Sequence, residues 1–301
     1  MWLRLPATSA NLGPGFDTAA VALDFHLTVE AERADSFSIR AVGRDADRCG
    51  ALEDNLLIEI YRMLLEREGR AATPLAIRME NEIPLGMGCG SSAAGRLAAI
   101  VLANHFGGLG WSSDRILAEA SELEGHPDNA AACWLGGFVA SGTQGGQVHV
   151  ARVPPPVEWR AIVVLPTEPL ATSKARAVLP AMYARTDVVT NLQAVAMLGL
   201  AFAQGRGDLL KAAMTDRVHQ PYRAAICPQL PKLLPLAGHD GILGVALSGA
   251  GPAVLAIVGG ENDVPAASQA IIRAMVEMQR PELLVCAFEA QGARVEAGSC
   301  V

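Results

Sequence analysis

Ile83-Pro-Leu-Gly-Met-Gly-Cys-Gly-Ser-Ser-Ala-Ala94 is the stretch on which the reading of this chain turns. Leu75, Ile77 and Met79 alternate ahead of it as in a strand, and Pro84 stops the run. After the glycines, small helix formers follow Ser91 and Ser92, which predicts a helix over about 91–106. Gly86, Gly88 and Gly90 let the backbone curl until several N–H groups face one point. The helix start adds its positive dipole end, so loop and helix together form an anion cradle suited to phosphate. Ser91 or Ser92 can add a hydroxyl to phosphate or to a magnesium ion that bridges phosphates.

Other glycine loops fit these residues less well. A Walker A loop requires Lys before its Ser or Thr, and Gly90 stands there. Gly88-x-Gly90-x-x-Ala93 matches a loose dinucleotide fingerprint, but Pro84 interrupts the approach and no acidic strand end follows at the required distance. Gly90-Ser-Ser-Ala-Ala94 lacks the closing glycine of a hydrolase elbow. A turn that needs glycines and a serine cap would account for the loop without any chemistry.

Two further glycine-punctuated stretches flank this one in sequence. Pro6-Ala-Thr-Ser-Ala-Asn-Leu-Gly-Pro-Gly-Phe-Asp17 reads as a polar loop between strands, and Gly244-Val-Ala-Leu-Ser-Gly-Ala-Gly-Pro-Ala-Val254 as a glycine turn joining two buried strands. Each alone is a tight turn, but three in one chain point to a site converging from distant segments. Gly241 to Gly260 carries no charge, yet its glycines and Pro252 favour paired strands over a membrane span.

Around these loops, strands are expected at 23–32, 37–42, 161–165, 242–248, 252–258 and 283–288, and helices at 56–68, 113–124, 187–204, 207–216, 227–237 and 264–279. Strands and helices interleave in both halves, and Pro154-Pro155-Pro156 breaks the chain between them. The 301 residues are enough for two layered domains. With 51% apolar and 18% charged residues the chain is an ordinary globular sequence. A net charge of −7 and the lack of a basic run argue against nucleic acid. Cys49, Cys89, Cys133, Cys227, Cys286 and Cys300 show no C-x-x-C pair and read as reduced thiols. No export signal is visible near Met1, so a cytoplasmic location is expected, without a membrane partner. The histidines show no zinc or iron spacing.

On these motifs, taken in order, the chain resembles the GHMP kinase superfamily. Within it the chain is most similar to the homoserine kinases, through Pro6 to Asp17, Glu124-Gly-His-Pro-Asp-Asn129, Thr172-Ser-Lys-Ala-Arg-Ala-Val-Leu-Pro180 and Gln220-Pro-Tyr-Arg223. The match runs from about Pro6 to Val258. The resemblance implies an α+β fold of two domains, an N-terminal nucleotide-binding domain over 1–155 and a C-terminal ferredoxin-like α/β sandwich over 156–301, with the site between them. It implies a homodimer and ATP-dependent phosphorylation of the side-chain hydroxyl of L-homoserine, a step of threonine biosynthesis.

By the same resemblance, Pro84, Gly86, Met87, Gly88, Cys89, Gly90, Ser91, Ser92 and Ala93 wrap the ATP phosphates, with Cys89 where the family carries Leu. Asn55 is the adenine candidate. Ser92 and Glu124 would hold magnesium, and Asn129 would orient the hydroxyl; these three are the expected catalytic residues. Asn11, Asp17, His126, Asn129, Thr172, Arg176 and Arg223 form the expected substrate pocket. An arginine fork suits a carboxylate, which assigns Arg176 and Arg223, while Asp17 beside Asn11 suits an ammonium. Positioning and charge neutralisation then suffice for transfer, without a dedicated protein base. The rival readings are another small-molecule kinase of the superfamily, acting on mevalonate, shikimate or a sugar, and a nucleotide-binding relative without catalysis. The two arginines and Asp17 separate the substrates by charge, and an intact Ser92 and Glu124 separate enzyme from binder.

Overall fold

The computed structural model describes residues 1–296. In chain order the strands are β1 (Trp2–Asn11), β2 (Gly15–Arg33), β3 (Ser38–Gly43), β4 (Leu75–Asn81), β5 (Phe138–Gln144), β6 (Gln147–Val153), β7 (Arg160–Leu165), β8 (Ile242–Leu247), β9 (Val254–Val258), β10 (Glu282–Cys286) and β11 (Arg294–Glu296). The helices are α1 (Ala46–Gly50), α2 (Leu56–Arg67), α3 (Ser91–Gly107), α4 (Ser113–Glu124), α5 (Asp128–Leu135), α6 (Thr172–Ala177), α7 (Arg185–Gln204), α8 (Leu210–Ala213), α9 (Gln220–Arg223), α10 (Leu230–Leu233) and α11 (Val264–Ala274).

Two sheets carry the fold. The first runs β11-β1-β2-β4-β3, with β5 on β2 and β6 on β5, and β3–β4 is parallel. The second runs β10-β7-β9-β8 and is antiparallel throughout, which in its own chain order is 4-1-3-2, the ferredoxin-like arrangement. Residues Ala161–Leu165 and all of β9 are buried on both faces, which is why they read as unbroken apolar runs. Pro154 to Pro156 fall between β6 and β7, where the chain passes from the first sheet to the second. Beyond β10 the chain returns: Phe288 bridges Leu23 and β11 pairs with β1. Cys300 and residues 297–301 of the expected second domain lie outside the described residues.

Helix α3 is the central helix, buried without interruption from Leu97 to Ala103, and it packs on α2, α4, α5 and β1. Phe202 of α7 stacks on Phe138 of β5 at 4.3 Å and meets Trp159 edge-on at 5.3 Å, joining α7 to strand β5 and to the approach to β7. Helix α7 is long and apolar enough to cross a membrane by length and composition. Its Asn191, Leu198 and Phe202 nevertheless pack into the protein, and Asn191 Nδ2 donates to Pro14 O at 2.7 Å.

Several expectations change. The stretch Pro6 to Asp17 is strand on both sides of a short turn at Leu12–Pro14 rather than a loop. Thr8, Ser9 and Asn11 gave it a loop-like polarity, yet they are buried in β1 and hydrogen-bonded across to other segments. The helices expected at 207–216 and 227–237 break into single turns, α8 and α10, the second in a stretch holding Pro228, Pro231 and Pro235. The last helix ends at Ala274 rather than 279.

Candidate active site

Strand ends and helix starts bring all three glycine turns to one cavity of about 370 Å³. Its wall includes Gly86 and Gly88 to Ala93 without Cys89, Asn11, Phe16 and Asp17, and Gly249 to Gly251. Gly90 caps α3 in left-handed geometry, φ +75°, and no side chain caps the helix, so its first N–H groups stay open to the cavity. Gly88, φ +84°, lies so close to the third turn that a Cβ there would sit 2.2 Å from Ser248 O. Ser248 Oγ donates to Gly88 O at 2.7 Å and lies 2.8 Å from Ser9 Oγ, which ties the three turns into one frame. Such a cradle of amides at a helix N-terminus fits the phosphates of a nucleotide.

Ser92 and Glu124 converge on one position. Arg96, a turn after Ser92 on α3, places its Nη1 against both Ser92 Oγ and Glu124 Oε1. A single cationic nitrogen therefore stands in for a cation between two hard oxygen donors, so the pair fits magnesium.

Asp17 and Arg176 face each other across the pocket. Arg176 donates to both Asp17 oxygens, at 2.6 and 3.0 Å, and that hydrogen bond holds the guanidinium pKa above its ordinary value. Asp17 sits at φ +54° and is held there by its own N–H, which donates to Asn11 Oδ1 at 3.0 Å. Asn11 Nδ2 donates to Gly249 O at 2.8 Å, so both ends of this side chain are spent on positioning. Phe16 lies between the two arginines, 5.3 Å from Arg176 and 5.4 Å from Arg223. Arg223 is fully buried; its Nε donates to Ala175 O at 3.0 Å and its Nη1 to His219 Nδ1 at 3.1 Å. Burial first, then the charge of Arg176, lowers the Arg223 pKa.

Opposite them, His126 Nδ1 donates to Asp128 Oδ1 at 2.5 Å. Burial works against a charge on His126, but the Asp128 hydrogen bond and the charges of Asp128, Asp17 and Glu124 outweigh it and raise the pKa. Asp128 is buried, and its Oδ2 is the one buried side-chain N or O atom among the described residues without a hydrogen-bond partner. Asn129 Oδ1 accepts from Thr8 Oγ1 at 2.6 Å, which fixes the amide, and Nδ2 donates to Asp128 Oδ1 at 3.4 Å, which leaves its second N–H for the cavity.

Of the expected residues, Gly86, Gly88, Gly90, Ser91, Ser92, Ala93, Glu124, Asn11, Asp17, His126, Asn129, Thr172, Arg176 and Arg223 line the cavity. Pro84, Met87 and Cys89 do not. Cys89 turns its thiol into the core while its carbonyl accepts from Thr8 N at 3.1 Å, and Met87 O accepts from Ala253 N at 3.1 Å. Asn55 lines a second, more apolar cavity of about 500 Å³ against the same loop, with Cys49, Leu57 and Met79. Its side chain caps α2 and donates to Cys49 O and Ala51 O. Sequence reasoning passed over Thr8, Phe16, Arg96, Asp128 and His219. Arg96 was findable as the residue four after Ser92 on one helix face.

Residues 55–137 match the family model "GHMP kinases N terminal domain" and residues 200–277 "GHMP kinases C terminal". A homoserine kinase of Solibacter usitatus is 46% identical over 84% of this chain and 83% of its own length. One of Moorella thermoacetica is 38% identical over 94% of this chain and 97% of its own. The crystal structure of homoserine kinase from Cytophaga hutchinsonii superposes with a TM-score of 0.83 at 26% identity, covering 98% of this chain and 96% of that one. The chain belongs to the GHMP kinase family, ATP-dependent kinases that act on an alcohol, and within it to the homoserine kinases.

Proposed function

We propose that this chain transfers the terminal phosphate of ATP to the side-chain hydroxyl of L-homoserine, giving O-phospho-L-homoserine for threonine biosynthesis in the cytoplasm. The Asp17–Arg176 ion pair carries the reading. A pocket wall that holds one carboxylate and one guanidinium, with Arg223 buried behind, presents the charge pattern complementary to an amino-acid zwitterion. Substrate carboxylate replaces Asp17 on Arg176, and substrate ammonium replaces Arg176 on Asp17, so neither charge is left unpaired. A neutral sugar offers neither exchange, and mevalonate or shikimate offers only one.

The phosphates lie on the glycine loop and the α3 N-terminus, and the apolar cavity beside Asn55 takes the adenine. Ser92 and Glu124 hold magnesium, which when bound neutralises phosphate charge. Asn129, its Oδ1 taken by Thr8, turns Nδ2 to the acceptor hydroxyl, and His126 closes that side of the pocket. Residues 1–155 serve the nucleotide and 156–301 complete the acceptor side. The exposed apolar stripe Val189, Leu192 and Leu200 on α7 supports a homodimer.

Release of ADP from purified protein with MgATP and L-homoserine, mevalonate, shikimate, galactose or no acceptor tests this. Turnover with L-homoserine alone is expected. Turnover with another alcohol alone would leave the phosphate loop standing and sink the pocket assignment, and silence throughout would favour a binding protein.

A further inference from the structure

Arg96 stands between the two side chains assigned to the metal, although no motif gives it a role. Its Nη1 contacts Ser92 Oγ and Glu124 Oε1 together, and among the described residues its guanidinium makes no other side-chain hydrogen bond. The Arg96 side chain is 22% exposed and Glu124 10%, so the pair is partly shielded from water at the cavity wall. Ser92 Oγ and Glu124 Oε1 are also the atoms a divalent cation would use, and one position cannot hold both cations. A guanidinium does not deprotonate in a protein, so Arg96 can leave only by rotating. Its backbone is pinned by the buried α3, so the head can travel only within reach of that helix turn. The anion-binding N–H groups of residues 91–93 lie on that turn, where a terminal phosphate would rest.

We propose that Arg96 is the resident cation of the Ser92–Glu124 pair, displaced when metal and nucleotide enter, and that it then binds the terminal phosphate. The inference rests on the assignment of Ser92 and Glu124 to magnesium. Arg96 so keeps Glu124 paired in the empty site and supplies a second positive charge to the phosphate in the filled one. Nothing is formed or broken covalently; one ion pair is exchanged for another.

Calorimetric binding of an ATP analogue with a non-hydrolysable β–γ bridge, at a series of magnesium concentrations and in EDTA, tests this on the full chain. Arg96→Met should lower the magnesium midpoint by about five- to tenfold, as a competing charge contact of ordinary strength is lost. It should also weaken metal-free binding, whereas Arg96→Lys, which keeps a point charge, should stay near wild type. Thermal melts check that each variant is folded. An unchanged midpoint in Arg96→Met, with magnesium dependence abolished in Glu124→Gln, would overturn the role of Arg96 and leave the metal site intact. Unchanged magnesium dependence in Glu124→Gln would instead remove the assignment beneath it.

Discussion

Arg223 donates through Nη1 to His219 Nδ1 at 3.1 Å, one helical turn away on a fully buried face. The other ring nitrogen lies 2.7 Å from Gly13 O, a group that can only accept, so Nε2 carries the proton and the ring is neutral. Burial above all, with the charge of Arg223 adding and Asp216 opposing, pushes the His219 pKa from 6.5 down to about 4. The unfolded chain therefore takes up this proton first as the pH falls. The contribution of neutral His219 is complete above about pH 6.5 and is lost progressively between 6.5 and about 4, on the order of 3 kcal/mol. Thermal melts at pH 7.5, 6 and 5 should show a falling Tm. His219→Gln, which keeps one donor and one acceptor, should melt lower at pH 7.5 but decline less steeply; equal slopes would refute the assignment.

The Asp17–Arg176 pair predicts a split between the two substrates. Removing either charge leaves its partner facing an unmatched zwitterion. Asp17→Asn and Arg176→Met should each raise KM for L-homoserine by about 10- to 100-fold, the size of a charge-assisted hydrogen bond. KM for ATP should stay within about threefold, because neither residue touches the phosphate loop. Equal losses for both substrates would show that the pair supports the fold of the pocket rather than recognition.

Much of this site was legible because its turns need glycine. Gly86, Gly88 and Gly90 all have positive φ, and so do Gly13, Gly249 and Gly251, which is why the glycine pattern marked all three loops in the sequence. Arg176 and Arg223 were likewise recoverable from motif. How they pair was not. Arg176 bonds to Asp17 across 159 residues and Thr8 to Asn129 across 121, and no local periodicity encodes such pairings. The same blindness turned β1 into a loop, since its Thr8, Ser9 and Asn11 look solvated in sequence and are buried in the fold because distant segments satisfy them. The helix expected at 227–237 failed for the opposite reason: its apolar residues have helical spacing, but Pro228, Pro231 and Pro235 cut the hydrogen-bond ladder.

Not every loop glycine is equally constrained. A Cβ on Gly88 would lie 2.2 Å from the backbone oxygen of Ser248, whereas one on Gly86 meets only the Cβ of Pro169 at 3.1 Å. Both sit at positive φ, so each alanine bears about 1 kcal/mol or more of backbone strain. Gly88→Ala must in addition push the 249–251 turn away from the loop. It should lower stability by about 2–4 kcal/mol and abolish detectable nucleotide binding, while Gly86→Ala folds and retains weakened binding. Denaturant melts and nucleotide titrations of the two variants, side by side, decide this; equal behaviour would show that the turns are not locked together.

Two cysteines, Cys89 within the phosphate loop and Cys49 in the cavity beside it, stand in opposite surroundings. Burial pushes the Cys89 thiol up to about 12, and no solvent reaches it, so the folded protein holds almost no reactive thiolate there. Cys49 is only half-buried, its pKa raised less severely by burial and by Asp45, and it lines the cavity assigned to adenine. Iodoacetamide at pH 8 should therefore alkylate Cys49 in the native protein and Cys89 only after unfolding, as read by peptide mass spectrometry. ATP should slow the modification of Cys49 by covering the cavity it lines, without any effect on Cys89. Unslowed labelling of Cys49 at saturating ATP would place the adenine elsewhere, while native labelling of Cys89 would mean that the loop opens far enough to expose the core beneath it.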